Sequence, residues 1–225
     1  MDIYYIILVI PCIILVLWAQ IKVKTTFRKY SRMQSRRGLT GAQAAQRVLR
    51  AGGVTDVRIE WVGGTLTDHF DPRTKVIRLS DSVYGATTVA AAGVAAHEAG
   101  HAVQYAENYL PVKIRSAIIP ITNLGSNLAW PVIFLGLILN FPSLFGIGIL
   151  LFALVAVFQL VTLPVEFNAS RRAVAALSDG GLLDEDELRG ARKTLSAAAL
   201  TYVAALALSV AELLRLLLIF GGRRD

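Results

Sequence analysis

His97-Glu98-Ala99-Gly100-His101 sets two imidazoles four residues apart, with a carboxylate directly after the first. Residues four apart share one face of an α-helix, so both imidazoles can converge on a single ion. Glu98 is rotated about 100° from His97 and can reach a water on that ion without joining the ligands. That division of labour suits hydrolysis. A zinc ion brings the pKa of its water down to about 7, and the neighbouring carboxylate takes the proton as the oxygen attacks a carbonyl. The competing reading is a helix whose two histidines serve packing alone. Against it, two of the chain's three histidines fall here, and the seventeen preceding residues read as helical. Gly100 also costs about 1 kcal/mol of helix propensity, which a place beside the ion would explain.

A catalytic zinc takes three protein ligands and keeps one position for water. No histidine follows His101 at six residues. Glu107 stands there, and Gln104 stands where a turn glycine would be needed, so the helix continues and Glu107 points away. His69, between Asp68 and Asp71, lines the cleft or is simply a polar strand or turn residue. Glu166 is the favoured third ligand. It is the first charged residue after fifty without one, where the chain returns to the membrane border. The alternative for Glu166 is a helix-starting glutamate after Pro164, favourable by the helix dipole alone.

The elements that must position these residues are mostly apolar. Hydrophobic residues make up 55% of the 225 and charged residues 17%, against about a quarter in soluble domains. From Ser116 to Val165 there is no Lys, Arg, Asp or Glu. About 20 residues cross a bilayer at ~1.5 Å each, so this stretch holds two spans turning at Asn140 to Ser143. The chain is therefore read as an integral membrane protein. Ile3 to Trp18 is a further apolar run, taken as a retained anchor. Its basic residues follow it rather than precede it, and no small-residue cleavage site comes after. Ser196 to Phe220 is a fourth span containing Glu212 and Arg215, which at i, i+3 can pair.

Net charge is +7, and seven basic residues with no acid lie between Lys22 and Arg37. Beside a span, such a cluster marks the cytoplasmic side. It serves as a topological signal alone or also meets anionic lipid headgroups, and juxtamembrane placement argues against nucleic acid. The expected layout is an anchor at 1–21 with its N-terminus outside, a cytoplasmic region at 22–115, and a membrane hairpin at 116–165. A cytoplasmic third-ligand helix at 166–195 and a last membrane helix at 196–225 complete it. Cys12 is the one cysteine and lies in the anchor, so no disulfide or cysteine metal site can form.

Outside the spans, Thr40 caps a short helix that Gly52-Gly53 stops. Val57–Val62, Thr65–Phe70 and Lys75–Leu79 read as a three-stranded β-meander, with a turn at Asp71 to Thr74. Ser80-Asp81-Ser82 caps a helix from Val83 to about Tyr105 that carries the histidine pair. A second helix runs from Glu166 to Leu177 and closes at Asp179-Gly180-Gly181. Asp184 to Glu187 opens the last helix with its carboxylates at the favourable end.

Four strings together resemble one family, the YugP-like neutral zinc metallopeptidases of bacterial membranes. They are Leu66–Pro72, Val76–Ser80, Val94–Gln104 and Leu163–Arg172, and the likeness runs from about Gly38 to the last span. The resemblance implies a mainly α membrane protein of about four transmembrane helices with a small cytoplasmic zincin-like α+β region. It implies a multi-pass protein of the bacterial inner membrane holding one Zn2+ on His97, His101 and Glu166. One departure is Asn168, where the family pattern carries an aspartate. An acid near the third ligand can orient a metal-binding histidine, so the change bears on catalytic strength rather than on metal binding. Ser170, one turn after Glu166, is the other candidate for that role. Arg171 or Arg172 would stabilise an oxyanion or, more simply, snorkel to the membrane surface.

The leading expectation is a zinc endopeptidase acting on membrane or membrane-proximal peptides, with Glu98 as general base and acid. The strand around Leu66 to Phe70 would offer an edge to an extended substrate. The alternative is a non-proteolytic membrane scaffold or adaptor that retains a zinc site. Structural zinc sites are closed by four ligands, and a glutamate beside the first histidine serves no structural purpose. A transporter would place ionisable groups inside its spans, and the central hairpin has none.

Overall fold

The computed structural model describes residues 2–221. In chain order its elements are α1 (Ile10–Tyr30, entered through a π-helical stretch at Tyr5–Val9), α2 (Gly41–Ala51), β1 (Arg58–Trp61), β2 (His69–Asp71), β3 (Val76–Leu79), α3 (Val89–Ala106), α4 (Leu110–Ile138), α5 (Pro142–Asp179) and α6 (Glu185–Gly221). The chain forms two compact units. One takes residues from 1–20, 113–164 and 200–225, and the other takes 21–112 and 165–199.

The first unit is helical. Four helices, α1 with its π-helical entry, α4, α5 and α6, are long and apolar enough to cross a membrane. The turn between α4 and α5 falls at residues 139–141, with Asn140 in the left-handed region at φ 49°. Small residues let these two helices close up, as membrane helix pairs do without a hydrophobic drive. A Cβ on Gly136 would lie 2.6 Å from the Phe145 nitrogen, and one on Gly148 would lie 2.5 Å from an Ile133 side-chain carbon. Ile133, Phe145, Ile149 and Leu216 form the buried cluster that results. Leu124, Phe134, Leu150 and Leu160 stay exposed, the pattern of helices turned to lipid. Glu212 and Arg215 do pair, and Arg215 Nη2 also reaches Asp2 Oδ2 at 2.8 Å. The fourth of these helices therefore carries no isolated charge at these positions.

The second unit holds the histidine pair. At its centre is α3, whose alanine run from Ala90 to Ala102 is buried almost throughout. Small side chains let neighbours approach closely: a Cβ on Gly93 would meet Ala191 of α6 at 3.3 Å. Leu49 of α2, Ile77 and Leu79 of β3, Leu177 of α5 and Leu195 of α6 complete the core. Each large side chain so buried contributes about 1.5–3 kcal/mol. Thr40 caps α2 through a reciprocal box with Gln43. At the start of α6, Arg36 forks onto Asp184 and Asp186 at 2.8 and 2.9 Å, and its backbone N–H donates to the buried Glu187. The acidic cap thus also fastens residues 35–37.

The three strands form, but not as a meander. The sheet order is β1-β3-β2, with β1 parallel and β2 antiparallel to β3. The cause lies in burial. In β3, Val76, Ile77 and Leu79 are fully buried, so this strand takes the centre, where both edges are hydrogen-bonded. Residues 65–68, expected to begin the second strand, instead belong to a loop over 62–68 tied to the 80–81 turn. Asp81 accepts from Trp61 Nε1 and the Gly64 N–H, and Asp68 accepts from the Ser80 N–H at 2.7 Å. That engagement of Ser80 and Asp81 also moves the start of α3. Its cap is Thr88, which accepts from the Ala91 N–H, and the helix begins at Val89 rather than Val83.

Candidate metal centre

His97 and His101 project from one face of α3, their ring centroids 4.6 Å apart. Glu166 projects from α5 and is 2% exposed. Its Oε2 lies 3.3 Å from His97 Nε2 and 3.6 Å from His101 Nε2. One ligand atom from each of the three falls within 4.8 Å of the others. Bonds of about 2.0–2.1 Å to a tetrahedral zinc put neighbouring ligands roughly 3.3 Å apart, so these separations fit one zinc ion. The donor set of two imidazoles and a carboxylate, leaving a fourth position open, is that of hydrolytic zinc sites.

Gly100 explains how α3 and α5 come close enough. A Cβ there would lie 2.8 Å from the Ala169 carbonyl oxygen, so any side chain would wedge apart the helices that carry the ligands. The glycine anticipated as clearing space beside the ion clears it for the backbone of α5.

The outer nitrogens of both imidazoles are engaged, which leaves the Nε2 atoms facing the centre. His97 Nδ1 is 3.2 Å from Ser170 Oγ, and His101 Nδ1 is 3.0 Å from Gln104 Oε1. Gln104 is fully buried, and its Nε2 donates to the Val165 carbonyl and to Asn168 Oδ1, both at 2.9 Å. Asn168 also accepts from Arg172 Nε at 2.7 Å, and Arg172 Nη2 pairs with Glu107 at 2.7 Å. Asn168 therefore stands one residue further from the histidines than anticipated, acting through Gln104. Gln104 went unnoticed because it reads as a polar helix residue, yet its place three after His101, on the same face, is the signal that finds it.

Electrostatics follow this geometry. Burial alone would lower the pKa of His101, but the carboxylates of Glu166 and Glu98 reverse that and hold it above the usual histidine range. Glu107 is pulled below the usual carboxylate range by Arg172. His69 stands apart from the cluster. It is exposed on the edge strand β2, its Nδ1 2.8 Å from the Thr67 carbonyl oxygen. Arg171 is exposed, and its neighbour Arg172 makes the polar contacts.

The chain is thus mostly helical, with four helices long and apolar enough to span a membrane and, on two packed helices, a His–His–Glu cluster that could hold a metal ion. The chain belongs to the family described as "Putative neutral zinc metallopeptidase", which it matches over residues 5–221. It is 48% identical over 222 residues to the "Putative membrane protease YugP" of Bacillus subtilis (strain 168), with 98% of each chain covered. No solved structure matches it.

Proposed function

We propose that this protein is a membrane-anchored zinc metalloendopeptidase that hydrolyses peptide bonds of membrane or membrane-proximal proteins. The observation that carries the reading is the spacing of His97 Nε2, His101 Nε2 and Glu166 Oε2, with Glu98 directly after the first ligand. Zinc bound there would polarise the scissile carbonyl and make a water acidic enough to attack near neutral pH. Glu98 takes the proton of the attacking water and delivers it to the leaving nitrogen, the two halves of general base and acid work. Gln104 holds His101 in the tautomer that presents Nε2, and Ser170 Oγ engages the outer nitrogen of His97. The exposed edge of β2 offers an unpaired backbone for an extended peptide.

The basic cluster from Lys22 to Arg37 supports placing residues 22–115 and 166–195, and with them the site, on the cytoplasmic face of a bacterial inner membrane. The small sheet packed beside α3 is consistent with a zincin-like α+β region. The 48% identity to the "Putative membrane protease YugP" supports the activity, and the donor set supports zinc.

Zinc content and peptide cleavage should be measured on the full chain and on Glu98→Gln. One zinc in both, with cleavage of casein or a membrane peptide only by the unaltered chain, is the expected result. Zinc in both and cleavage in neither would favour a scaffold or adaptor with a retained metal. Absence of zinc from both would overturn the reading altogether.

A further inference from the structure

On α1, just past the apolar run, Lys24, Phe27, Arg28 and Ser31 line one side of a groove of about 500 Å³. Their spacing of i, i+3, i+4 and i+7 puts them on one helical face. Leu66 and Ala86 contribute the opposite apolar wall, and none of the lining residues is acidic. Lys24 and Arg28 make no ion pair among the described residues, although Arg36, eight positions on, is held by two aspartates. Leu66 is 41% exposed and holds a left-handed backbone at φ 59°, unusual for a branched residue. Ser31 Oγ is shut off from water and makes no hydrogen bond.

From these features we infer that the groove holds one anionic phospholipid of the surrounding bilayer. The phosphate sits on Lys24 and Arg28. The glycerol backbone and the first acyl carbons lie against Phe27, Leu66 and Ala86. Depth along the helix supports the assignment. At 1.5 Å per residue, Lys24 and Arg28 lie about 5 and 10 Å beyond Ile21, the last apolar residue before the cations. That is the headgroup layer of a bilayer whose polar zones add roughly 5–8 Å on each side. Charge supports it as well, since juxtamembrane lysines and arginines attract anionic lipid. A soluble phosphate would satisfy the cations but leave the apolar wall bare. The inference is independent of any proteolytic activity.

The test is native mass spectrometry of the full chain in detergent, titrated with phosphatidylglycerol or phosphatidylcholine. Three variants are compared with the unaltered protein. Lys24→Gln/Arg28→Gln removes the groove cations, and Ala86→Phe fills the groove without a charge change. Lys22→Gln/Lys29→Gln removes two cations of the same helix that do not line the groove. Helix content by circular dichroism shows that each variant is folded.

The first phosphatidylglycerol adduct should weaken about thirtyfold in the groove double variant, the effect of two juxtamembrane cations at roughly 1 kcal/mol each. It should weaken at least severalfold in Ala86→Phe and stay within about twofold in Lys22→Gln/Lys29→Gln. Phosphatidylcholine should bind no more tightly to the unaltered chain than to the variants. Equal loss in both double variants would reduce the effect to diffuse attraction and overturn the site. So would retention in the groove variants, or displacement of the lipid by millimolar inorganic phosphate.

Discussion

Gln104 bridges the two helices that bear the candidate ligands. Its Oε1 lies 3.0 Å from His101 Nδ1 on its own helix, while its Nε2 donates to the Val165 carbonyl, one residue before Glu166. Because the amide nitrogen is committed to a main-chain oxygen, the amide oxygen must face His101. His101 then carries its proton on Nδ1 and presents Nε2 to the centre. A neutral amide thus does the orienting that carboxylates perform at many metal sites.

Gln104→Met keeps the volume and removes all three of its hydrogen bonds, to His101, Val165 and Asn168. Zinc dissociation, followed by competition with a chelator, should become ten- to a hundredfold more favourable, the usual range for loss of a group that orients a metal-binding histidine. Unchanged affinity, with a folded protein, would dismiss the bridge.

Gly100→Ala tests the approach of α3 to α5. Its new methyl would sit 2.8 Å from the Ala169 carbonyl oxygen, whereas a methyl on Gly85 meets nothing within 4 Å. Overpacking of this kind costs typically 1–3 kcal/mol. Thermal unfolding should show that loss for Gly100→Ala and almost none for Gly85→Ala, and zinc should bind more weakly only in the former.

Much of this arrangement was legible in the sequence, for physical reasons that differ between elements. Thr40 as a helix cap, and the uncharged stretch from Ser116 to Val165, are local signals that tertiary packing does not override. Glu166 stood out because a lone charge after so long an apolar run needs a partner. The sheet order was not legible. Whether β1 pairs with β2 or β3 depends on Asp68 and Asp81 holding the intervening loop against Ser80 and Gly64, contacts that no periodicity records. The start of α3 was missed for the same reason, since Ser80 is a good cap on paper but is already occupied by Asp68.

Asn168 accepts two hydrogen bonds, from Gln104 and from Arg172, and donates none among the described contacts. An aspartate would accept the same two and sit closer in charge to Arg172. Asn168→Leu, by contrast, takes an acceptor from the buried Gln104 amide at about 1–3 kcal/mol and another from the partly exposed Arg172, so it should lower both stability and zinc affinity, whereas Asn168→Asp should leave zinc affinity within about threefold. Equal behaviour of the two variants, measured by unfolding and zinc titration, would show that the acceptor role is irrelevant.

Asp68 offers a pH dependence with a definite sign. Burial raises its pKa above 3.8, and the Ser80 N–H and hydroxyl only partly offset this. The folded state thus holds the proton more tightly than the unfolded chain. Stability from this residue is fullest below its unfolded pKa and declines as pH rises through the raised value. Asp68→Asn keeps an acceptor for Ser80 and removes the ionisation. Its melting temperature relative to the unaltered protein should therefore be higher at pH 7 than at pH 4. Thermal unfolding at the two pH values decides the matter. A difference of the opposite sign would mean that the Ser80 bonds, not burial, govern Asp68, and that the loop is held by a charge rather than in spite of one.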